Sequence, residues 1–224
     1  MRGVMRYGIA VTTLFACVAL GATSSGAQFP RGGRAGLGSD PDYWVGLDYG
    51  YQGGMTVFDA SGSEWAIGYT SQLRATIAKT IAREISVGFA VGFSTPTLNY
   101  YPGALGSTFS CPVQCTAKAD VTQWLAFLHS GSGLGFHPVY SIEAGITQFG
   151  NFREETTGDA LPPTSSSNDF TFGLGGGAGY GFTRTIDGFI AENFDLVMHS
   201  QGNNVGDGNA PRFFTFRVGV RAGF

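Results

Sequence analysis

The last 13 residues of the chain, 212–224, alternate between two kinds of side chain up to the carboxyl terminus. From 215 the odd positions carry threonine, arginine or glycine, whereas the even positions are apolar: Phe214, Phe216, Val218, Val220, Ala222 and Phe224. This period of two indicates a β-strand. Chain ends in water normally fray, but a strand that crosses a bilayer needs about 9 to 11 residues that face lipid and lumen in turn. The stretch therefore predicts a transmembrane strand.

The same stretch resembles the closing strand of Gram-negative outer-membrane β-barrels, which ends in phenylalanine. In that class the final strand is read by the outer-membrane insertion machinery. The resemblance implies the same partner for this chain, and a signal carried by Phe214, Phe216, Val218, Val220 and Phe224.

The composition agrees with such a barrel. Charged residues make up 13% of the chain, against about 25% in ordinary soluble domains, yet the mean hydropathy is only +0.06. Strands that alternate between lipid and lumen average to a value near zero, which excludes a helical membrane protein. A glycine-rich soluble sandwich, whose core would also hold Phe and Tyr, is the alternative.

The amino terminus has the three parts of a secretory signal peptide. Arg2 and Arg6 precede an apolar core at 9–20, and small residues follow up to a cleavage position near Ala27. We therefore predict a signal peptide at 1–27, a disordered lead-in at 28–41 and an outer-membrane barrel at 42–224. A loose match to a lipoprotein signal that ends at Cys17 is the alternative.

Export also bears on charge and on cysteine chemistry. Removal of the signal peptide changes the formal charge from −3 to −5, which argues against nucleic-acid binding. Cys111 and Cys115 then remain, and in an oxidising compartment we expect them to form a local disulfide. No histidine lies within ten residues of this pair to complete a metal site, and we expect no cofactor.

Alternation predicts eight strands, at 43–51, 65–77, 85–93, 120–129, 140–147, 170–182, 193–199 and 214–224. Long and short connections follow one another, as in outer-membrane barrels with short periplasmic turns. The chain thus resembles small barrels of the OmpA, OmpX and OmpW kind. This predicts an all-β fold, an eight-stranded antiparallel transmembrane up-and-down barrel. Apolar residues at 73, 77, 81 and 85 leave an amphipathic helix at 72–86 as the alternative.

The inward faces predict a narrow, polar interior. Six charged residues share the lumen-facing parity: Asp48, Arg74, Glu143, Asp195, Arg217 and Arg221. Eight strands enclose just enough room for side chains, so we expect no general pore. Opposite charges there must pair or hydrate, either as a structural plug or as a narrow polar pathway. Five glycines on one face of 170–182 are expected to leave space for the arginines.

Aromatic residues near the strand ends are expected to form interfacial girdles on the outer wall. They are Tyr43, Tyr51, Trp65, Phe93, Tyr140, Phe182 and Phe224. This wall would contact outer-membrane lipid and lipopolysaccharide.

The predicted function is a structural or surface-interaction role through the long external loops, without enzymatic activity. These loops are rich in Ser, Gly and Pro and carry no recognisable motif. The OmpW resemblance implies an alternative, a lateral conduit for small hydrophobic molecules. That alternative predicts an inward apolar patch around Trp124 and Leu128.

A lipid A hydrolase is the third hypothesis for the function of the chain. His129 and His199 each precede a serine, Ser130 and Ser200, so that a base stands beside a nucleophile. Adjacent residues of a strand point to opposite faces, however, which argues against a catalytic pair.

Overall fold

The computed structural model describes residues 41–58, 62–103, 108, 110–162, 166–199 and 212–224. These ranges contain eleven strands: β1 (Tyr43–Gln52), β2 (Met55–Phe58), β3 (Glu64–Ile67), β4 (Thr70–Ala82), β5 (Ile85–Ser94), β6 (Thr97–Tyr101), β7 (Cys115–Ser130), β8 (Gly135–Glu154), β9 (Ser167–Gly181), β10 (Ile186–Met198) and β11 (Arg212–Gly223). No helix in the described part of the chain is long and apolar enough to cross a membrane. The predicted signal peptide, with Cys17 and Ala27, and all of the predicted lead-in but Pro41 lie outside the described residues.

Eight of the strands form a closed antiparallel cylinder, in the order β1, β4, β5, β7, β8, β9, β10 and β11. The ring closes between the first and last strands, where Leu47 lies opposite Val220. This confirms the predicted barrel. The alternative helix at 72–86 is wrong, because β4 and β5 pair across it with Ile77 opposite Phe89.

Side chains alternate around the cylinder as the period of two requires. Large apolar side chains on the outer wall are exposed, among them Leu47, Phe89, Ile142, Leu174, Ile190 and Val220. The inward set is mostly polar and buried. An apolar surface of this extent is unfavourable in water and is the expected wall of a barrel in lipid.

The two ends of the cylinder differ. At one end, the turn end, short turns join β4 to β5, β7 to β8 and β9 to β10. The longer connections lie at the other, the loop end. The first turn is shorter than the gap between the predicted strands 65–77 and 85–93, because pairing continues through a bulge between Thr80 and Ala82. In the second turn, Gly131 has a φ of 113°, which favours glycine.

A second layer of structure covers the loop end. Strands β2, β3 and β6 pair in series, and β6 pairs with the first residues of β7. Together with the loop-end parts of β7 and β8 they form what we call the cap sheet. Its inner face packs an apolar core against Val197 of β10 and Phe213 of β11, which line the mouth of the barrel. The other core residues include Met55, Val57, Trp65, Leu98, Tyr100, Phe149, Phe152 and Leu161.

The cap sheet corrects one predicted strand. Residues 65–77 do not form one strand, because the chain breaks at 68–69 between β3 and β4. Trp65 is therefore not a girdle residue: its side chain is 0% exposed, with its ring centroid 4.2 Å from that of Phe152. The other six predicted girdle residues are on the outer wall and exposed.

Cys111 and Cys115 form a disulfide. Cys115 begins β7 and lies opposite Tyr100 of β6, whereas Cys111 is buried in the apolar core of the cap sheet. The bridge therefore holds the β6–β7 connection against the cap core.

Candidate functional site

The barrel interior brings together the six charged residues that share the lumen-facing parity. None is more than 8% exposed, and they come from five strands: Asp48 of β1, Arg74 of β4, Glu143 of β8, Asp195 of β10, and Arg217 and Arg221 of β11. The alternation of each strand puts them inside, opposite the apolar rows on the outer wall. We describe the interior from its central layer outwards.

An ion pair between Arg74 and Glu143 spans the central layer. The guanidinium donates two hydrogen bonds to the carboxylate, from Nη1 to Oε2 at 2.8 Å and from Nη2 to Oε1 at 2.9 Å. Asn193 donates a third from Nδ2, 3.1 Å from Oε1. This bidentate geometry is the strong form of an arginine–carboxylate pair. It links β4, β8 and β10 across the lumen.

Arg217 makes the second ion pair of the central layer. Its Nη1 donates to Asp48 Oδ1 at 3.0 Å, and its Nη2 donates to Gln72 Oε1 at 2.8 Å. The closing strand β11 is thereby tied to β1 and β4. The pair needs the closed ring, since the two charged residues are 169 positions apart.

A row of neutral hydrogen bonds continues from Gln72 around the inner wall. Its Nε2 donates to Gln123 Oε1 at 2.7 Å, and Gln123 Nε2 donates to Thr147 Oγ1 at 3.2 Å. The hydroxyls of Thr147 and Thr171 are 2.6 Å apart. Every member is buried. The row satisfies polar groups that would otherwise be costly to bury.

At the turn end, Arg221 forms a third charged group. Its guanidinium binds Asp187, with 2.8 Å from Nε to Oδ2, and also contacts His129 and the carbonyl of Gly131. The Trp44 ring lies below it, with the centroid 5.2 Å from Cζ. His129 belongs to β7, which stands opposite β11 in the ring. The contact between Arg221 and His129 therefore crosses the whole lumen.

Between the central layer and Arg221 lies a cavity of about 60 Å³, the volume open to the centres of water molecules. It is bounded by Arg74, Glu143, Asn193, Arg217 and Arg221 and by apolar side chains that include Trp44, Phe127, Val139 and Phe189. A water molecule needs about 10 to 15 Å³ on this measure. The cavity therefore has room for a few waters.

Above the central layer the described interior becomes largely apolar, apart from the buried pair of Asp169 and His199. Phe149, Val197 and Phe213 fill the mouth of the barrel and are at most 2% exposed, and the cap sheet packs over them. A hydrated ion or sugar would have to displace this packed core. The described interior thus holds ion pairs from the central layer towards the turn end and, at the loop end, a packed apolar core beside the buried Asp169–His199 pair.

The histidines are bound by charged side chains. His199 Nδ1 lies 2.7 Å from Asp169 Oδ2, and both residues are buried. His129 contacts Arg221, and His137 Nε2 lies 3.2 Å from Asp187 Oδ2. Ser200, the hypothetical nucleophile beside His199, lies outside the described residues. Among the described residues, no group of three or more His, Cys, Asp or Glu side chains is arranged to hold a metal ion.

The glycine face of β9 serves purposes other than the predicted one. A Cβ at Gly173 would collide with Asp195, and a Cβ at Gly179 would collide with His137. At Gly177 the obstacle is the backbone of β10. The glycines thus make room for short neighbours and for close strand approach. The expectation that they house the three arginines is wrong, because those side chains reach carboxylates on other strands.

Sequence reasoning missed two acidic partners. Asp169 precedes the strand predicted at 170–182 and Asp187 lies between that strand and the one predicted at 193–199, but both lie inside strands and face inward. Their positions could have indicated this. Asp169 is an even number of residues from inward Thr171 on β9, and Asp187 is an even number from inward Asp195 on β10, so each shares the inward face. The predicted strands were too short to include them.

The residues of the predicted insertion signal lie on the outer wall of β11. Phe214, Phe216, Val218, Val220 and Phe224 are all exposed there. The strand ends in paired hydrogen bonds between Tyr43 and Phe224, 3.1 and 2.9 Å long, and the two rings stack.

No protein-family model matches the chain, and no curated protein matches it in sequence. Its fold is similar to that of Neisserial surface protein A, with a TM-score of 0.52 and 12% identity over 82% of this chain and 97% of that chain. Weaker likenesses include two proteins of Pseudomonas aeruginosa. The first is the outer-membrane protein OprG, with a TM-score of 0.46 and 12% identity over 84% of this chain and 98% of that chain. The second is the N-terminal β-barrel domain of OprF, with a TM-score of 0.41 and 12% identity over 80% of this chain and 96% of that chain.

Proposed function

We propose that this chain, which has the fold of the small eight-stranded outer-membrane barrels, is a sealed surface protein of the outer membrane. It acts through its cap sheet and loops and does no enzymatic chemistry. The observation that carries this proposal is the continuous apolar core between the cap sheet and the barrel mouth. This core closes the lumen and gives the loop end a fixed shape.

The outer face of the cap sheet is organised by polar contacts. Asp120 accepts hydrogen bonds from Asn151, at 2.7 Å, and from Arg153, at 3.5 Å. Lys118 Nζ lies 2.9 Å from Glu155 Oε1. Such a pre-formed surface loses less conformational entropy on binding than a flexible loop does.

The β8–β9 connection begins with a further ordered turn. The backbone N–H groups of Thr157 and Thr156 donate to the Glu154 carboxylate and lower its pKa. The turn therefore keeps its negative charge in mildly acidic surroundings, and adds a fixed anionic group to the loop end.

Export and insertion complete the proposal. Residues 1–27 direct secretion and are cleaved near Ala27, and the insertion machinery reads β11 in a Gram-negative-type cell. The loop end then faces outside and the turn end faces the periplasm, as in other barrels with short turns. Outer-membrane lipid and lipopolysaccharide surround the apolar wall.

Surface labelling tests this orientation. Asn99, on the exposed face of β6, and Arg83, in the first short turn, are each replaced by cysteine. We expect a membrane-impermeant maleimide to label Asn99→Cys in intact cells and Arg83→Cys only after the outer membrane is opened. The native cysteines are bridged and serve as the unreactive background.

Two further readouts bear on the same prediction. Folded barrel should migrate faster on a gel before boiling than after it, and purified protein in planar bilayers should show no stepwise conductance. Labelling of Arg83→Cys in intact cells would overturn the orientation, and reproducible conductance steps would overturn the sealed lumen.

A second candidate function, lateral binding or passage of small hydrophobic molecules, is favoured by a groove in the wall. Strand β4 begins at Thr70, but its ladder with β5 ends where Leu73 lies opposite Phe93. A groove of about 590 Å³ lies there, lined by Tyr49, Thr70, Ser71, Leu73, Phe93, Ser94, Thr95, Asp120, Val121 and Thr122. It joins outward-facing residues to buried Val121 of the cap core.

The groove is not the patch that the sequence indicated. Trp124 and Leu128 are 55% and 42% exposed and belong to the outer wall, so the prediction of an inward patch around them is wrong. The inward apolar residues of β7 are Val121, Leu125 and Phe127. Both faces of this strand are apolar, and pairing with β5 and β8 decides which one faces the lumen.

Filling the groove tests the second function. Ser94→Phe places a ring in the groove, whereas Thr116→Phe places one on the outer face of the cap sheet. We expect the first variant to bind a fluorescent fatty-acid analogue at least about tenfold more weakly than wild type, or about 1.4 kcal/mol. The second should match wild type. Equal binding by all three proteins would exclude the groove.

A further inference from the structure

Asp195 is a carboxyl group in the central layer of the lumen that no described guanidinium contacts through a hydrogen bond. It lies on the inward face of β10 and is 0% exposed. Its charged neighbours are Glu143, Arg217 and Arg74. Neither of its oxygens accepts a hydrogen bond from any residue that the structure describes.

The terminal nitrogens of the two guanidiniums in this layer are engaged elsewhere, whereas Nε of each has no partner among the described residues. Arg74 uses both terminal nitrogens on Glu143, and Arg217 divides its own between Asp48 and Gln72. The nearby amide of Asn193 also donates to Glu143. The layer thus holds three carboxyl groups and two cations. If all five groups were ionised, the layer would carry an excess negative charge with no described partner.

The residues opposite Asp195 in the two neighbouring strands, Gly173 and Phe213, have no polar side chain. On the β9 side it packs against Gly173, where even a Cβ would collide with Oδ1. On the loop-end side the next inward residue of β10 is Val197, which belongs to the apolar core. An isolated carboxylate in such a place is strongly unfavourable, and the usual resolution is that the group becomes neutral.

We propose that Asp195 is a proton-binding site, occupied in the folded barrel in mildly acidic surroundings. The bound proton makes the central layer neutral, because the two remaining carboxylates match the two guanidiniums. Without the proton, three carboxylates would compete for two guanidiniums. The carboxylates are those of Asp195, Glu143 of β8 and Asp48 of β1, and the guanidiniums are those of Arg74 of β4 and Arg217 of β11. The lumen therefore contains a pH-dependent element that is independent of what the cap sheet binds.

The sign of the effect follows from linkage. An aspartate in an unfolded chain loses its proton near pH 3.9, whereas the folded barrel keeps this one. The folded state then binds one more proton than the unfolded state, so stability falls as pH rises. For this group alone, the unfolding equilibrium constant should increase about tenfold per pH unit above about pH 4 until the proton is lost.

Infrared spectroscopy tests occupancy directly. Wild-type barrel in lipid at about pH 6 should show a carboxylic-acid carbonyl band that is missing from Asp195→Asn. Because the amide has the shape of the protonated acid, this variant should fold. If it does not, the wild-type band and its reversible loss on alkalinisation are still measurable. Absence of the band from the wild-type spectrum would overturn the proposal.

The stability difference is the second readout. Between about pH 5 and pH 6 the unfolding constant of wild type relative to Asp195→Asn should rise about tenfold. Asp120→Asn, which alters an exposed carboxylate of the cap sheet, should follow wild type. A ratio that does not change with pH would overturn the proposal. So would a stabilisation of wild type by sodium but not by choline that disappears in Asp195→Asn, since a metal cation would then occupy the site.

Discussion

Replacement of Glu143 by alanine is expected to lower the free energy of unfolding by about 3 to 5 kcal/mol. The variant leaves the Arg74 guanidinium, 5% exposed, without the carboxylate that accepts two of its hydrogen bonds. A buried charge that loses its partner costs far more than the intact pair contributes. Urea unfolding in lipid vesicles, followed by the shift between folded and unfolded bands on an unheated gel, measures the change.

The double replacement of Arg74 by methionine and Glu143 by leucine is the matched control. It removes both charges and keeps most of the volume, so we expect it to lie within about 1 to 2 kcal/mol of wild type. Lys118→Ala, which breaks an exposed pair with Glu155, should change stability by less than about 1 kcal/mol. A loss in Glu143→Ala as small as in Lys118→Ala would contradict an uncompensated charge at Arg74, because water or Asp195 would then take the place of the Glu143 carboxylate.

Replacement of Trp65 by alanine is expected to cost the cap core about 3 to 5 kcal/mol, the usual range for a buried aromatic residue. Trp65 is completely buried and contacts the rings of Phe152 and His199. Because the barrel ring does not include β3, the variant should keep its fast gel migration while the cap sheet becomes sensitive to protease.

Trp124→Ala is the control, because Trp124 is on the outer wall and contributes nothing to the cap core. Its cap sheet should resist protease as wild type does. Lipids brominated in their acyl chains should quench the fluorescence of Trp124 in a variant that keeps only this tryptophan, but not that of Trp65 in the corresponding variant. The reverse pattern would contradict the strand faces described above, and protease resistance in Trp65→Ala would contradict the cap core.

The two variants separate the two layers of the protein. Glu143 belongs to the polar network that joins strands across the lumen, and Trp65 belongs to the apolar core that closes the mouth. The cylinder itself is held mainly by its interstrand hydrogen bonds, which have no competitor in lipid. We therefore expect the cap sheet to unfold independently of the barrel when Trp65 is removed.

Alternation predicted which residues share a face, and it did so best where the opposite face was polar or glycine. The inward positions of Asp48, Arg217 and Arg221 follow from parity alone, because the other face of their strands is continuously apolar. On 120–129 both faces are apolar, and the sequence had no means of choosing between them. The choice came from the closed ring, which sets Trp124 towards the surroundings.

The parity of a residue also does not show whether its side chain is buried by other parts of the protein or exposed on the outer wall. Trp65 and Tyr69 share one parity, yet the first is buried under the cap sheet and the second is exposed on the outer wall. Between them the chain leaves one strand and enters another. The cap sheet forms by pairing of short segments that are far apart in sequence, such as β3 with β6. No local sequence pattern predicts that pairing.

The amino-acid order alone determined the period of two, the all-β class of the fold and the sign of the charge at each predicted lumen position. These properties depend only on residue type and on neighbours along the chain. Only the folded ring decided that Arg217 meets Asp48, that Arg74 meets Glu143 and that Asp195 meets neither guanidinium through a hydrogen bond. Partners across a barrel are set by register and closure between distant strands. A shift of two residues in one register would keep every face and change every partner.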